Sequence, residues 1–306
     1  MSPLSLTIAI TGANGQVGTG VVRQALLENH SVIAIDTAPE SRLPQPEQDK
    51  AGKRFAYKQV DCTQYEPFRD AVRGADGLVH LAAVYNRHDH DGNLEPGASQ
   101  NVVHNTNTAM SYNALLLASE LGIDRVVLAS SVNSIGMVFS KRPRFDYIPL
   151  DEKHPFYPED AYSLCKHIVE IQSDAFVRFN PTMRIATLRF HAVTDDDQCT
   201  AAHLNQRGGS WKDLWGWVSL TATAKSCLLG LTAPYETFPN GTHETFFIVA
   251  PTTQQQSDSE TLLMSRFPEI QDVRIDLKGS NVGFFDTSKA ERMLGWKEGE
   301  AFWWKA

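Results

Sequence analysis

The glycine-rich segment near the N-terminus constrains the fold of this 306-residue chain more than any other feature. The apolar run "LTIAITG" from Leu6 has the composition of a buried strand, and the following "GTGVVRQALLENH" has apolar residues at helical spacing. Between them, Gly12, Gly15 and Gly18 follow the pattern G-x-x-G-x-x-G. Glycine permits a tight turn and a close approach of backbone to a pyrophosphate, which a helix N-terminus stabilises. The segment therefore predicts a dinucleotide-binding turn.

The same alternation of strand and helix continues through the first two thirds of the chain. Strand-like segments occupy 31–36, 55–61, 77–83, 125–131 and 184–190, and helical segments occupy about 65–73, 105–121 and 160–179. This rhythm indicates a parallel sheet covered by helices on both faces. We therefore expect an α/β fold with a doubly wound parallel sheet of the Rossmann type. Residues 1–191 would form the cofactor-binding domain and carry the catalytic residues.

The pattern loosens beyond residue 191 into acidic and glycine-rich loops. A helix near 220–231 and the strand-like "TFFIVAP" interrupt them. We expect 192–306 to form mostly a small substrate-binding lobe, with some segments returning to the sheet.

Composition narrows the classes of partner. The net charge of −8 disfavours nucleic acid, because a phosphate backbone requires a basic face. No stretch reaches the ~18 apolar residues of a membrane span, and the N-terminus has no secretory pattern. Four cysteines without C-x-x-C spacing predict neither a metal site nor disulfides, so we expect a cytoplasmic protein with a small-molecule substrate. The cluster "NRHDHDG" (86–92) is interpreted as a solvated or substrate-facing loop rather than a metal site.

Two aspartates at predicted strand ends concern the cofactor. Asp36 ends the second strand, where a carboxylate accepts hydrogen bonds from adenosine ribose hydroxyls and repels a 2′-phosphate. Thr37 and Ala38 offer no cation for such a phosphate, although Arg42 is close in sequence. NAD is therefore predicted over NADP. Asp61, at the end of the third strand, is placed to meet the adenine edge.

Several motifs together resemble one family. They are "TGANGQVG", Asp36, "HLAA" (80–83), "LASS" (128–131), "YSLCK" (162–166), a helix carrying Asn107 and Asn113, and "FFDTSKAERMLGWK" (284–297). Nearly the whole chain resembles the extended short-chain dehydrogenase/reductase family, also called the NAD-dependent epimerase/dehydratase family. The resemblance implies an NAD-binding enzyme, usually a homodimer built from the helices near 105–121 and 160–179. The residues expected at the cofactor are Gly12, Asn14, Gly15, Gln16, Val17, Gly18, Asp36, Asp61, Cys62, Leu81, Ala82, Ala83, Asn107, Tyr162, Lys166 and His191.

Tyr162 and Lys166 are the predicted acid/base pair. Tyrosine has a pKa near 10, too high for a good base at neutral pH. A lysine four residues later lies on the same helix face, where its charge stabilises a phenolate. The resemblance implies that Lys166 also holds the nicotinamide ribose. Ser131 ends a predicted strand and would orient the substrate oxygen; the family's spacing to Gly136 selects it over Ser130.

The substrate is left open between several alternatives. We expect an NAD-dependent oxidoreductase acting on a secondary alcohol, hemiacetal or ketone of a small polar, sugar-like molecule. The alternatives are a nucleotide-sugar epimerase or dehydratase with tightly bound NAD, and a non-catalytic NAD-sensing regulator. Ala192 and Ile135 replace residues common in the nucleotide-sugar enzymes, and "ASSVNSIG" has some similarity to uronate dehydrogenases. The run "WKDLWGWVS" (211–219) would line the substrate pocket or pack the small lobe.

Overall fold

The computed structural model describes residues 5–85, 99–207 and 209–298. The loop residues 86–92 lie outside these ranges. The strands are β1 (Thr7–Thr11), β2 (Ser31–Asp36), β3 (Phe55–Gln59), β4 (Gly77–His80), β5 (Arg125–Ser131), β6 (Arg184–Phe190), β7 (Val193–Thr194), β8 (Val218–Ser219) and β9 (Thr242–Ile248). The α-helices are α1 (Gln16–Leu27), α2 (Gln45–Ala51), α3 (Tyr65–Ala71), α4 (Gln100–Leu121), α5 (Ala161–Phe179), α6 (Ala201–Arg207), α7 (Leu220–Thr232), α8 (Ser259–Arg266) and α9 (Ser288–Leu294).

Seven strands form one parallel sheet in the order β3-β2-β1-β4-β5-β6-β9. The chain builds outward from β1 to β3, then returns to the centre and builds outward again from β4. A crevice opens at this reversal, outside the carboxyl ends of β1 and β4, where such sheets bind ligands. The predicted doubly wound α/β fold is confirmed.

The central strands β1, β4 and β5 are mostly apolar along their middle residues because both faces of the sheet are covered there. Successive side chains of a strand point to opposite faces, and β1 shows this directly. Ile8 and Ile10 belong to the apolar cluster that includes Val21 of α1 and Leu228 of α7. Ala9 belongs to the opposite cluster, with side chains of α4 and α5.

Two elements beyond residue 191 belong to the main sheet and its helical layer. Strand β9 pairs with β6 as the seventh strand, and α7 packs on α1. A separate apolar cluster combines Val132 and Ile135, which follow β5, with Leu214, Trp215 and Phe284. The division of the chain at residue 191 stays a prediction.

Some element boundaries differ from those expected. Strand β4 ends at His80 rather than residue 83. The Leu81 N–H is shared between the carbonyl and the hydroxyl oxygen of Thr11, and the Ala82 N–H donates to the same hydroxyl oxygen. Helix α4 begins at Gln100 rather than near residue 105. In the described ranges, no helix is both long and apolar enough to cross a bilayer.

Candidate active site

A cleft of about 950 Å³ runs along the carboxyl edge of the sheet. It lies over the crevice between β1 and β4 and extends past the end of β6. Most of the predicted site residues line it: Gly12, Gly15, Gln16, Val17, Gly18, Asp36, Asp61, Cys62, Leu81, Ala82, Ala83, Ser131, Tyr162, Lys166 and His191. The topology thus brings residues from six strand ends to one place.

The glycine-rich turn has three distinct steric requirements. Gly12 adopts φ +65°, and a Cβ there would lie 2.8 Å from the backbone nitrogen of Ala82. A Cβ on Gly18 would lie 2.1 Å from the Gly12 carbonyl oxygen, so α1 packs on the turn only with glycine. A Cβ on Gly15 would meet only that same oxygen, at 3.2 Å. At Gly12 and Gly18 the turn therefore packs against other backbone atoms, whereas at Gly15 it is open to the cleft.

Helix α1 presents its N-terminus to this open side. Its N-cap residue is Gly15, and no described side chain caps it. The N–H groups of the first turn of a helix have no partner within the helix, and they carry the positive end of its dipole. The residues present therefore fit the pyrophosphate of a dinucleotide.

Asp36 and Asn14 form a unit beside the turn. The backbone N–H of Asn14 donates to Asp36 Oδ2 at 3.0 Å, which fixes the carboxylate at the end of β2. The Asn14 side chain does not line the cleft; its amide donates to Glu40 O and its Oδ1 accepts from the Arg42 N–H at 2.7 Å. Asn14 therefore supports the loop that follows Asp36, while Asp36 itself faces the cleft.

His80 and Thr11 hold the loop that follows β4. Thr11 Oγ1 accepts from the N–H groups of Leu81 and Ala82, so its own proton points to His80 Nδ1 at 2.8 Å. Burial lowers the pKa of His80 to about 3. A neutral imidazole therefore fixes the backbone that forms one wall of the cleft.

Asn107 acts on the next residue of the same wall. It does not line the cleft. Its Oδ1 accepts from the Val84 N–H at 2.8 Å, and its Nδ2 donates to Val84 O at 2.7 Å and to Cys165 Sγ at 3.5 Å. At the adenine end, Asp61 Oδ1 accepts from the backbone and hydroxyl of Thr63. Burial raises the pKa of the neighbouring Cys62 thiol to about 12, so the thiol stays protonated.

Ser131, Tyr162 and Lys166 meet at the other end of the cleft. Asp160 caps α5 through the Ser163 N–H, which sets the start of the helix at Ala161, one residue before Tyr162. Lys166 Nζ donates to Ala129 O at 2.7 Å and lies 5.6 Å from the centre of the Tyr162 ring. Burial raises the pKa of Tyr162, and the neighbouring Ser131 hydroxyl opposes that shift.

The hydrogen bonds of Ser131 determine where its proton points. Ser131 Oγ accepts from the backbone N–H of Asn133 at 3.1 Å and from its side-chain amide at 3.3 Å. Because both lone-pair directions are used, the serine proton is left for Tyr162 or for a ligand oxygen. Burial lowers the pKa of Lys166.

His191 closes the cleft beyond β6. Its Nδ1 accepts from the Ala192 N–H, and its Nε2 therefore donates to Asp213 O at 2.9 Å. Burial lowers the pKa of His191 to about 4, which keeps the ring neutral. A Cβ on Gly216 would lie 2.6 Å from this ring. The segment from 210 to 216 is thus held tightly against His191.

The aromatic run in this segment packs the protein interior. Trp211 and Trp215 join the cluster beyond the sheet, Trp217 is buried beside Leu204, and none of the three lines the cleft. The acidic residues 195–197 are only partly exposed. Asp195 accepts from the Gln16 amide, and Asp196 accepts from the Thr221 N–H.

Asn133 and Asp213 are among the cleft residues that were not predicted. Asn133 lines the cleft and holds Ser131; its place two residues after that serine was the available signal. Asp213 also lines it, and no local pattern separates this aspartate from other loop aspartates. In the part of the chain that the structure describes, no group of three His, Cys, Asp or Glu residues could hold a metal ion.

The fold and this site define a Rossmann-type dinucleotide-binding protein. The chain belongs to the NAD dependent epimerase/dehydratase family, whose model matches residues 8–194. The resemblance drawn from the motifs is thereby confirmed, and the family description agrees with the predicted cofactor, NAD.

Individual proteins show the same likeness. The chain is 29% identical over 195 residues to dTDP-6-deoxy-L-talose 4-dehydrogenase (NAD(+)) from Aggregatibacter actinomycetemcomitans, covering 63% of each chain. The structure of UDP-glucose 4-epimerase from Thermotoga maritima with UDP-glucose superposes with a TM-score of 0.65 at 18% identity, covering 96% of this chain and 94% of that one. The enzyme WbmG from Bordetella bronchiseptica, in complex with NAD, has a TM-score of 0.64 at 18% identity, covering 98% and 91%.

Proposed function

We propose that the protein is an NAD-dependent oxidoreductase acting at a secondary alcohol, hemiacetal or ketone of a small polar, sugar-like substrate. The observation that carries this proposal is the convergence of Ser131, Tyr162 and buried Lys166 in the same cleft as the glycine-rich turn. A site that only senses NAD has no need of a proton-transfer group.

The cleft residues have separate roles along its length. Gly15 and the N-terminus of α1 would hold the pyrophosphate, and Asp36 would accept hydrogen bonds from the adenosine ribose. Lys166 uses one of its three N–H donors on Ala129 O, which leaves two for the second ribose. When bound, NAD accepts a hydride from the carbinol carbon of the substrate.

Tyr162 and Ser131 would move the proton. The substrate hydroxyl gives its proton to the Tyr162 phenolate, which becomes a phenol as the carbon–oxygen double bond forms. The Ser131 hydroxyl, fixed by Asn133, donates to the substrate oxygen and steadies its charge. The positive charge of Lys166 favours the phenolate, whose formation burial opposes.

The test is Tyr162→Phe, assayed by absorbance of the reduced nicotinamide over a panel of sugars, uronates, polyols and hydroxyketones. We expect kcat to fall at least ~100-fold, since a positioned acid/base contributes that much or more. NADH binding should stay within about twofold. The matched control is Tyr157→Phe, because the Tyr157 hydroxyl donates to Asp146 and does not line the cleft. Retained turnover in Tyr162→Phe would refute the assignment.

A second candidate function is that of an epimerase or dehydratase that uses NAD transiently. The hydride would then return to the same molecule, so no net NADH accumulates and the cofactor copurifies with the protein. Release of NAD on denaturation, together with isomerised sugar product and no NADH, distinguishes this function from net oxidation.

We further propose that the protein is a cytoplasmic homodimer formed through α4 and α5. Tyr112 on α4 and Ile171 on α5 are each about half exposed, so these two helices present apolar surface that a second subunit would cover. Ile171→Glu should convert a dimer to a monomer in sedimentation velocity experiments. The control, Leu27→Glu on α1, changes an equally apolar exposed residue away from these helices and should leave the dimer intact.

A further inference from the structure

Asp213 is a buried carboxylic acid that faces the cleft and has no role in the proposed proton transfer. It ends the short helical turn Trp211–Asp213, is 8% exposed, and contributes to the cleft lining. Its Oδ1 is buried and has no hydrogen-bond partner among the residues that the structure describes. An unpaired buried carboxylate oxygen is costly, since its lost hydration is not replaced.

The surroundings hold Asp213 in this position. The backbone N–H groups of Asp213 and Trp215 both donate to Ser210 O, and the carbonyl of Asp213 accepts from His191 Nε2. Leu214 and Trp215, the next two residues, both have positive φ, which non-glycine residues rarely adopt. Both are buried in the apolar cluster beyond the sheet, so packing maintains the strained turn.

Asp213 lies at the substrate end of the cleft. The glycine-rich turn, Asp36 and Asp61 follow β1, β2 and β3 and occupy one side of the sheet reversal. Asp213 is bonded to His191 after β6, on the other side, where Ser131 ends β5. It therefore lies on the side of the cleft where a ligand would extend beyond the nicotinamide.

We propose that Asp213 binds the substrate by accepting a hydrogen bond from a hydroxyl other than the one that Tyr162 deprotonates. It thereby selects neutral, polyhydroxylated substrates over substrates that carry a carboxylate at this position. This inference rests on the proposed function, of which it specifies the substrate class.

The selectivity follows from the negative charge of the Asp213 carboxylate and from its lack of a hydrogen-bond donor. An ionised carboxylate only accepts hydrogen bonds, so the ligand must supply the donor. Two carboxylates placed together in a site of low dielectric repel each other strongly. Burial raises the pKa of Asp213 to about 7, and the exposed Arg207 guanidinium opposes that shift, so Asp213 is an acceptor-only carboxylate above that pH, at which the ligands are titrated. Arg207 donates to Thr194 Oγ1 and does not line the cleft.

The experiment measures binding without turnover. In a Tyr162→Phe background saturated with NAD, neutral sugars, polyols and hexuronates are titrated by calorimetry, with and without Asp213→Ala. We expect the tightest neutral ligand to lose roughly 10- to 100-fold in affinity, the value of a hydrogen bond to a charged group. The matched control is Asp197→Ala, an exposed aspartate on the nearby acidic turn, which should change affinity less than twofold.

Asp213→Asn keeps the shape and removes the charge. It should improve hexuronate affinity relative to the neutral ligand by at least tenfold, a reversal that a merely structural role would not produce. Thermal denaturation and NADH binding report whether each variant is folded. Unchanged ligand affinity and unchanged charge preference in folded variants would overturn the inference, as would a panel in which no hydroxylated compound binds.

The two proposals fail in different ways. Wild-type protein that reduces NAD with a neutral sugar, but whose KM is unaffected by Asp213→Ala, retains the proposed function and loses this inference. Wild-type protein that binds a neutral sugar through Asp213 without any redox change retains the inference and loses the oxidoreductase assignment.

Discussion

Lys166 Nζ lies 5.6 Å from the centre of the Tyr162 ring, while its hydrogen bond goes to Ala129 O at 2.7 Å. The lysine therefore acts on the tyrosine through its charge and not through a direct bond. Its stem is buried on α5, and the strand that ends in Ser131 supplies the carbonyl that fixes its head. Ala129 of β5 thus orients the Lys166 ammonium group, whose charge stabilises the phenolate of Tyr162.

Replacing this cation should change the pH dependence of the reaction. Burial already raises the pKa of Tyr162, and loss of the Lys166 charge in Lys166→Met raises it further. The phenolate exists only above that pKa, so the acid limb of the kcat/KM profile should move to higher pH. The pH profile of the reaction in the alcohol-oxidising direction measures this, and an unshifted limb would contradict the role of Lys166.

The geometry of the glycine-rich turn predicts that alanine has different effects at Gly18 and at Gly15. Gly18→Ala should destabilise the fold, because its Cβ would lie 2.1 Å from the Gly12 carbonyl oxygen. Gly15→Ala should fold with a Tm near that of the wild type, since its nearest contact is 3.2 Å, but should bind NADH at least tenfold more weakly. Thermal denaturation and fluorescence titration with NADH separate the two effects. Equal loss of stability in both variants would count against this interpretation of the turn.

Asp36 should determine the choice between NAD and NADP. Asp36→Asn keeps an oxygen for the Asn14 N–H but removes the charge that repels a 2′-phosphate. We expect NADH affinity to fall about tenfold, as for loss of a charged hydrogen bond, and the NADPH-to-NADH affinity ratio to rise. Asp49→Asn on the exposed face of α2 is the control. Wild-type protein that prefers NADPH would disprove the role of Asp36.

The buried ion pair behind the site should be a large contributor to stability. Glu170, one turn after Lys166 on α5, accepts two bonds from Arg189 of β6 at 2.8 and 2.9 Å and one from Ser130. Glu170→Gln leaves the Arg189 charge buried and unpaired, which costs about 3–5 kcal/mol of unfolding free energy. Denaturant unfolding measures it. Asp70→Asn, which breaks the exposed pair with Arg73, should change stability by less than about 1 kcal/mol.

Local sequence patterns were sufficient to predict the fold class and many of the residues that line the cleft. Apolar strand runs, helical spacing and the glycine triplet are short-range consequences of backbone geometry, and they predicted the doubly wound sheet before any contact was known. Residues at the ends of strands, such as Asp36 and Ser131, were predictable because the carboxyl ends of parallel strands lie at the same edge of the sheet. The prediction of NAD rather than NADP rested on the negative charge of Asp36 at the end of β2.

Only the tertiary structure decided which neighbours these residues would have. Asn14 and Asn107 bond to backbone behind the cleft, although their sequence positions suggested contact with the cofactor. Asp213 faces the cleft because a strained turn after β6 is packed against His191 and the apolar cluster beyond the sheet. Such long-range packing produces no periodic pattern in the sequence, because it depends on which surfaces meet and not on the spacing of residues within a segment.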